Sequence, residues 1–162
     1  MTELRALLER VRLAVFDFDG VFTDNRVWVN EHGDETLAFS RSDGLGLRRL
    51  EEVGVRPLIV SMEQNPIVTA RAGKLRVDCV QGVEDKLAVL RERTGELGVA
   101  LEDTAFLGND INDADCLRAV GVPVVPADAW PEVVPLARWV LTRAGGTGCV
   151  REFCDAVWEA KH

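Results

Sequence analysis

Short apolar runs alternate along this chain with amphipathic segments of helical spacing, and polar residues gather where the apolar runs end. Leu13 to Phe18 is the first such run, interrupted by Asp17 and followed at once by Asp19. RPLIVS (56–61) and DTAFLGND (103–110) repeat the arrangement, and VPVVPA continues it from Val122. LGLRRLEEVG has the spacing of a helix stopped by Gly54, and NPIVTARAGKL that of a helix with Asn65 as N-cap and Pro66 at its first position. RVDCVQG is strand-like, EDKLAVLRERTGELG helical, and CVREFCDAVWEA reads as a last helix after the flexible turn GGTG. Strands that alternate with helices predict a mostly parallel sheet covered on both faces, with ligands bound at the carboxyl ends of the strands. The one segment outside this rhythm is RVWVNEHGDETLAF (26–39), whose alternation around Asn30, His32 and Gly33 predicts a β-hairpin with Val27, Val29 and Leu37 on one side.

With 162 residues, 47% hydrophobic and 28% charged, the chain suits one folded domain spanning 1–162 with a core of its own. A formal charge of -8 argues against a general nucleic-acid surface, although a small phosphorylated ligand needs only a local cation. No stretch approaches the roughly eighteen apolar residues of a membrane span, and MTELRALLERVRLAVFDFD reads as a helix entering a strand, not as a signal peptide. Cys79, Cys116, Cys149 and Cys154 form no C-x-x-C pair, and with only His32 and His162 beside them a zinc site is not expected. Reduced, mostly buried thiols of a cytoplasmic protein are the expectation.

The chemistry concentrates at the strand ends. Carboxylates such as Asp17 and Asp19 are costly to bury unless they bind a cation or accept hydrogen bonds. In VFDFDGVFTD, Asp17 is placed to attack phosphorus and Asp19 to serve as general acid and base; the alternative is a strand-end turn capped by both. Ser61 offers a hydroxyl to a phosphoryl group, or else caps a turn. Lys86 can neutralise the nucleophile and the phosphate, or else sit solvated on its helix. GNDIND, from Gly108 to Asp113, supplies the hard oxygens that magnesium prefers, and joins Asp17 and the Asp19 carbonyl in an expected octahedral site.

Taken together, DFDGVFTDN, Ser61, Lys86 and GNDIND resemble the four motifs of the haloacid dehalogenase superfamily, and almost the whole chain is similar to one branch of it. That branch contains small, cap-less phosphatases of 3-deoxy sugar acids and the phosphatase-like domain accompanying some acylneuraminate cytidylyltransferases; GGTGCVREF is similar to its C-terminal segment. The resemblance implies an α/β Rossmann-like three-layer parallel sheet, a β-hairpin insertion at about 26–39 and no large cap domain. It assigns the nucleophile to Asp17, acid/base catalysis to Asp19, the phosphate hydroxyl to Ser61 and the amine to Lys86. Magnesium falls to Asp17, Asp19, Asn109, Asp110 and Asp113, the last matching the acidic residue that orients metal-bound water or the lysine. The family's fourth motif usually begins Gly-Asp; Asn109 stands there, and its amide oxygen brings no charge.

Phosphatases of 3-deoxy-manno-octulosonate 8-phosphate tend to carry Gly-Arg after the second-motif residue, where this chain has Met62-Glu63. The segment is closer to the nonulosonate side of the branch, so a nonulosonate 9-phosphate is the expected substrate, ahead of 3-deoxy-manno-octulosonate 8-phosphate. Glu63 would accept from sugar hydroxyls and Arg71 pair with a carboxylate, the alternatives being a Glu63–Arg71 ion pair or a solvated Arg71. Members of the branch form homotetramers, which implies that the hairpin packs at a shared centre, that the Gly-rich tail closes a neighbour's site and that Arg151 reaches a substrate across the interface. A non-catalytic oligomerisation domain serving a cytidylyltransferase is the competing expectation.

Overall fold

The computed structural model describes residues 2–162. Eight strands and six helices follow one another as α1 (Thr2–Arg10), β1 (Leu13–Phe16), β2 (Trp28–Val29), β3 (Glu35–Thr36), α2 (Ser42–Glu52), β4 (Arg56–Val60), α3 (Ile67–Leu75), β5 (Asp78–Val80), α4 (Lys86–Leu97), β6 (Thr104–Leu107), α5 (Ala114–Ala119), β7 (Val122–Val125), β8 (Trp139–Val140) and α6 (Cys149–Lys161). Six strands form one sheet in the order β5-β4-β1-β6-β7-β8. Every pairing in it is parallel. β1 lies between β4 and β6, with Leu13 opposite Arg56 on one side and Thr104 on the other.

Alternate residues of the buried strands feed two cores, as the period of two demands. Ala14, Phe16, Ile59, Leu107 and Val124 point to one face, where they meet Leu47 and Leu50 of α2, Val68 and Ala72 of α3, and Phe153 and Val157 of α6. Leu13, Val15, Leu58, Val60 and Phe106 point to the other and meet Leu90 of α4 and Leu117 of α5. The three-layer arrangement expected from the alternation is therefore present, with α2 and α6 packed together over the first face.

Local starts and stops differ in instructive ways. α3 begins at Ile67, two residues after Asn65, whose Oδ1 accepts from the Ile67 amide at 3.0 Å. α4 begins at Lys86, because Asp85 caps it by accepting from Ala88 N at 3.0 Å. The hairpin is small: only Trp28↔Thr36 and Val29↔Glu35 pair, and it stands away from the cores with Trp28 77% exposed. The side of the hairpin formed by Val27 and Val29 is likewise exposed, and only Leu37 packs against the main core.

All four cysteines are free. Among the described residues no helix is long and apolar enough to cross a membrane.

Candidate active site

Asp17 continues β1 by one residue, donating its amide to Leu107 O at 2.9 Å, and so stands at the carboxyl edge of the sheet between the ends of β4 and β6. It is 5% exposed. Its Oδ1 accepts from Phe18 N and from Lys86 Nζ, both at 2.7 Å. Lys86 Nζ also donates to Asp113 Oδ1 at 2.8 Å. Asp113 Oδ2 in turn accepts from the amides of Asn109 at 2.9 Å and Asp110 at 3.3 Å. Starting α4 at Lys86 aims its side chain inward, so the solvated-helix alternative does not hold. Gly108 makes room for Asp113 to fold back, since a Cβ there would lie 2.6 Å from the Asp113 Cβ.

Two buried carboxylates thus share one ammonium. Burial pushes the Asp17 carboxyl up to about 7, the Asp113 charge adds to the rise, and Lys86 opposes it. Burial works against the Lys86 charge, but the facing carboxylates of Asp17 and Asp113 outweigh it and hold the ammonium above the ordinary lysine range. Asp19 is half-buried beside them. Burial and the nearby Glu63 charge raise it above the usual carboxylate range, with Glu35 adding and Lys86 and the Thr23 hydroxyl opposing. A rise in this direction favours the protonated form that a general acid uses.

The amide of Asn109 faces Asp17 Oδ2 and the Asp19 carbonyl. Turned with its nitrogen toward them it would donate to both, at 3.0 and 2.9 Å. Turned with its oxygen toward them it completes a cluster of three oxygens with no hydrogen between. Octahedral magnesium, with ligands about 2.1 Å away, sets neighbouring ligand oxygens about 3 Å apart, so the second orientation fits this ion. Asp113 does not face the cluster, because Lys86 and two amides occupy its oxygens. Asp110 stands at the rim with Oδ1 accepting from Ile111 N at 2.7 Å. Among the described residues no three His, Cys, Asp or Glu side chains form a metal cage. One carboxylate, one carbonyl and one amide are what the chain offers.

Ser61 follows β4 and is buried, its Oγ accepting from Glu63 N at 3.1 Å. It opens with Asp17, Asp19, Glu63, Asn109 and Asp110 on a cleft of ≈ 410 Å³. Glu63 lines that cleft while its Oε1 accepts from the amides of Gln64 and Asn65, each at 2.9 Å. Arg71 and Arg151 are not brought to it. Arg71 donates to Ser40 O at 3.1 Å and lies over the Phe39 ring, in a separate cleft with Arg41, Arg48, Lys74 and Arg76. It forms no ion pair with Glu63. Arg151 Nε binds both Asp155 oxygens at 2.7 Å and lines a third cleft. Nor does the Gly-rich turn project outward. It packs on its own chain, where a Cβ on Gly145 would fall 2.0 Å from Gly20 O and one on Gly146 2.5 Å from Asp24 N.

Several cleft residues were given no role by the sequence, although Asn25 and Asn112 lie within DFDGVFTDN and GNDIND. Asn25, Gln64 and Asn112 line the cleft, and Thr23 Oγ1 accepts from Gly20 N and Asn25 N, both at 3.1 Å. The tight DGVFTD turn is the feature from which Thr23 was readable. The Glu35 charge acts on Asp19 from the hairpin, an effect across the chain that no local pattern announces.

No family model matches the chain. It is 34% identical over 151 residues to 3-deoxy-D-manno-octulosonate 8-phosphate phosphatase KdsC of Escherichia coli (strain K12), a match covering 93% of this chain and 80% of that one. The solved structure of 3-deoxy-D-manno-octulosonate 8-phosphate phosphatase from Moraxella catarrhalis, in complex with magnesium, phosphate and KDO, is 31% identical. It superposes with a TM-score of 0.95 over 99% of this chain and 93% of that one. The Yersinia pestis phosphatase of the same name is 32% identical, with a TM-score of 0.95 over 98% of this chain and 86% of that one.

Proposed function

Because the chain belongs to the cap-less KdsC branch of the haloacid dehalogenase superfamily, we propose that it is a magnesium-dependent phosphatase releasing inorganic phosphate from a phosphorylated 3-deoxy sugar acid. The observation that carries the reading is the buried Asp17–Lys86–Asp113 chain opening onto the three-oxygen cluster. Asp17 attacks phosphorus, forming a phosphorus–oxygen bond to its carboxylate as the bond to the sugar oxygen breaks. Asp19 gives its proton to that departing oxygen, then takes one from the water that displaces phosphate from Asp17. Lys86 holds Asp17 in place and balances charge, and the Ser61 hydroxyl orients the phosphoryl oxygens. Asp17, the Asp19 carbonyl and Asn109 would hold magnesium, which supplies the positive charge that lets a carboxylate approach a phosphate dianion.

The names of the relatives put 3-deoxy-D-manno-octulosonate 8-phosphate first. This reverses the order suggested by Met62-Glu63 alone. Glu63 still supports the second reading, a nonulosonate 9-phosphate, because its carboxylate lines the cleft where sugar hydroxyls would lie. A purely scaffolding role finds no support in the site, since such a chain has no use for a buried lysine between two carboxylates. We further propose a homotetramer built through the exposed Val27-Trp28-Val29 hairpin.

The test is phosphate release from the two sugar-acid phosphates, with magnesium and with EDTA. Metal-dependent release from either establishes the activity, and the larger kcat/KM chooses the sugar. No release from either by folded protein would sink the proposal.

A further inference from the structure

Gln81 follows β5 and is half-buried beneath the loop that carries Glu63. Its Nε2 donates to Glu63 O at 3.1 Å and to Asn65 O at 3.2 Å. Its Oε1 accepts from Thr69 N at 3.1 Å and from the Thr69 hydroxyl. Both donors and both lone pairs of the amide are used, which also settles its orientation. One side chain thus ties the 63–65 segment to the first turn of α3.

Ser61, only two residues earlier, is held by other means. Its amide donates to Val80 O at 2.9 Å, and its carbonyl accepts from Val83 N at 3.1 Å. These bonds extend the sheet and owe nothing to Gln81. The loop therefore has two sets of attachments: backbone bonds fix the Ser61 main chain, and a single glutamine amide, with help from Gly82 N to Glu63 O at 3.0 Å, fixes the main chain of the sugar-side residue, the two meeting where Ser61 Oγ accepts from Glu63 N at 3.1 Å. Glu63 itself braces the loop from above through the amides of Gln64 and Asn65.

We infer that Gln81 is a positioning residue for sugar selectivity, holding the Glu63 segment in register with the substrate while leaving the phosphoryl chemistry to a separately anchored Ser61. The inference rests on the reading of Glu63 as the sugar contact. Removing the Nε2 donors lets the 63–65 segment move relative to Ser61, and a displacement of about 1 Å suffices to weaken a recognition contact severely.

The experiment compares native protein with Gln81→Met, which keeps the length, and Gln81→Glu, which keeps the acceptor and loses both donors. Hydrogen exchange, read without substrate, is expected to quicken at residues 63–65 in both variants and to stay native-like at 56–61. For the preferred sugar-acid phosphate, KM is expected to rise ~10-fold with kcat changed less than ~2-fold, and turnover of p-nitrophenyl phosphate, which offers Glu63 no sugar, to stay within ~2-fold. Unchanged exchange at 63–65, a native-like Gln81→Glu, or equal losses on both esters would each overturn the assignment. Failure of the native protein on every sugar-acid phosphate would instead sink the proposed substrate class, and exchange would still decide whether Gln81 braces the loop.

Discussion

Asp17 has one oxygen on Lys86 and the other on the three-oxygen cluster, so its two halves face a fixed cation and a place for a mobile one. Asp17→Asn keeps the shape but removes the nucleophile, and phosphate release is expected to fall by at least ~10³-fold with the circular dichroism spectrum and magnesium-free Tm retained. A fall of less than ~10-fold in that variant would move the nucleophile elsewhere. Asn109 makes a subtler case. Asn109→Asp adds a full charge to a cluster that has only one, and the magnesium concentration giving half-maximal rate is expected to drop ~10-fold. An unchanged or higher magnesium requirement would show that Asn109 does not face the ion. At this scale the sequence was informative wherever a residue closes a strand: Asp17, Asp19, Ser61 and Asn109 all lie on the cleft because parallel strands deliver their ends to one edge. It was uninformative for Arg71, which sits mid-helix, where chain position says nothing about what lies across the gap, while the expected reach of Arg151 is to a neighbouring copy's site and not to the cleft of its own chain. Arg71 found a nearer partner in Ser40 O, and within its own chain Arg151 is held by Asp155.

Between elements, α2 and α6 are joined by a buried acid. Asp43, at the start of α2 and 1% exposed, accepts from Arg151 N at 3.3 Å in the first turn of α6, and its Oδ2 has no partner. Burial pushes this carboxyl up to about 6, against the Arg151 amide and the Arg71 and Arg151 charges. The folded state therefore holds the proton more tightly than the unfolded chain does. Its stabilising contribution is complete below the unfolded value near 4 and is lost as pH rises through about 6. Asp43→Asn removes that dependence, so its stability relative to native protein should be greater at pH 7.5 than at pH 4.5, by about 2 kcal/mol in urea titrations. A difference that does not change with pH would show that Asp43 is ionised in the folded state at both. Element boundaries were readable only approximately: Asn65 announced α3, which starts two residues later at Ile67, and the helical reading of EDKLAVLRERTGELG did not single out Asp85 as the cap of α4. The shortness of the hairpin strands was not readable, because alternation signals exposure of one side but not how far the ladder extends.

For the whole molecule, the sheet order and the two cores follow from the alternation of apolar runs, while assembly does not. The exposed Val27-Trp28-Val29 stretch, three large apolar side chains in a row, is a natural place for copies to meet. Sedimentation equilibrium of the native protein is expected to give four chains, and Trp28→Glu, which buries nothing in the single chain, fewer. A native protein that sediments as one chain would remove the hairpin from any interface. The apolar pattern of the sequence does not announce assembly, and the homotetramer expected with the hairpin at its centre came from the resemblance alone.

β1 pairs with β4 and β6, strands that the chain reaches only much later, and each contributes the groups at one side of the cleft. No early fragment of the polypeptide holds Asp17, Ser61 and Asn109 together. During refolding, secondary structure and the α2–α6 contact can form while the protein remains catalytically silent, and turnover will return only in the last kinetic phase, when the distant strands have closed on β1.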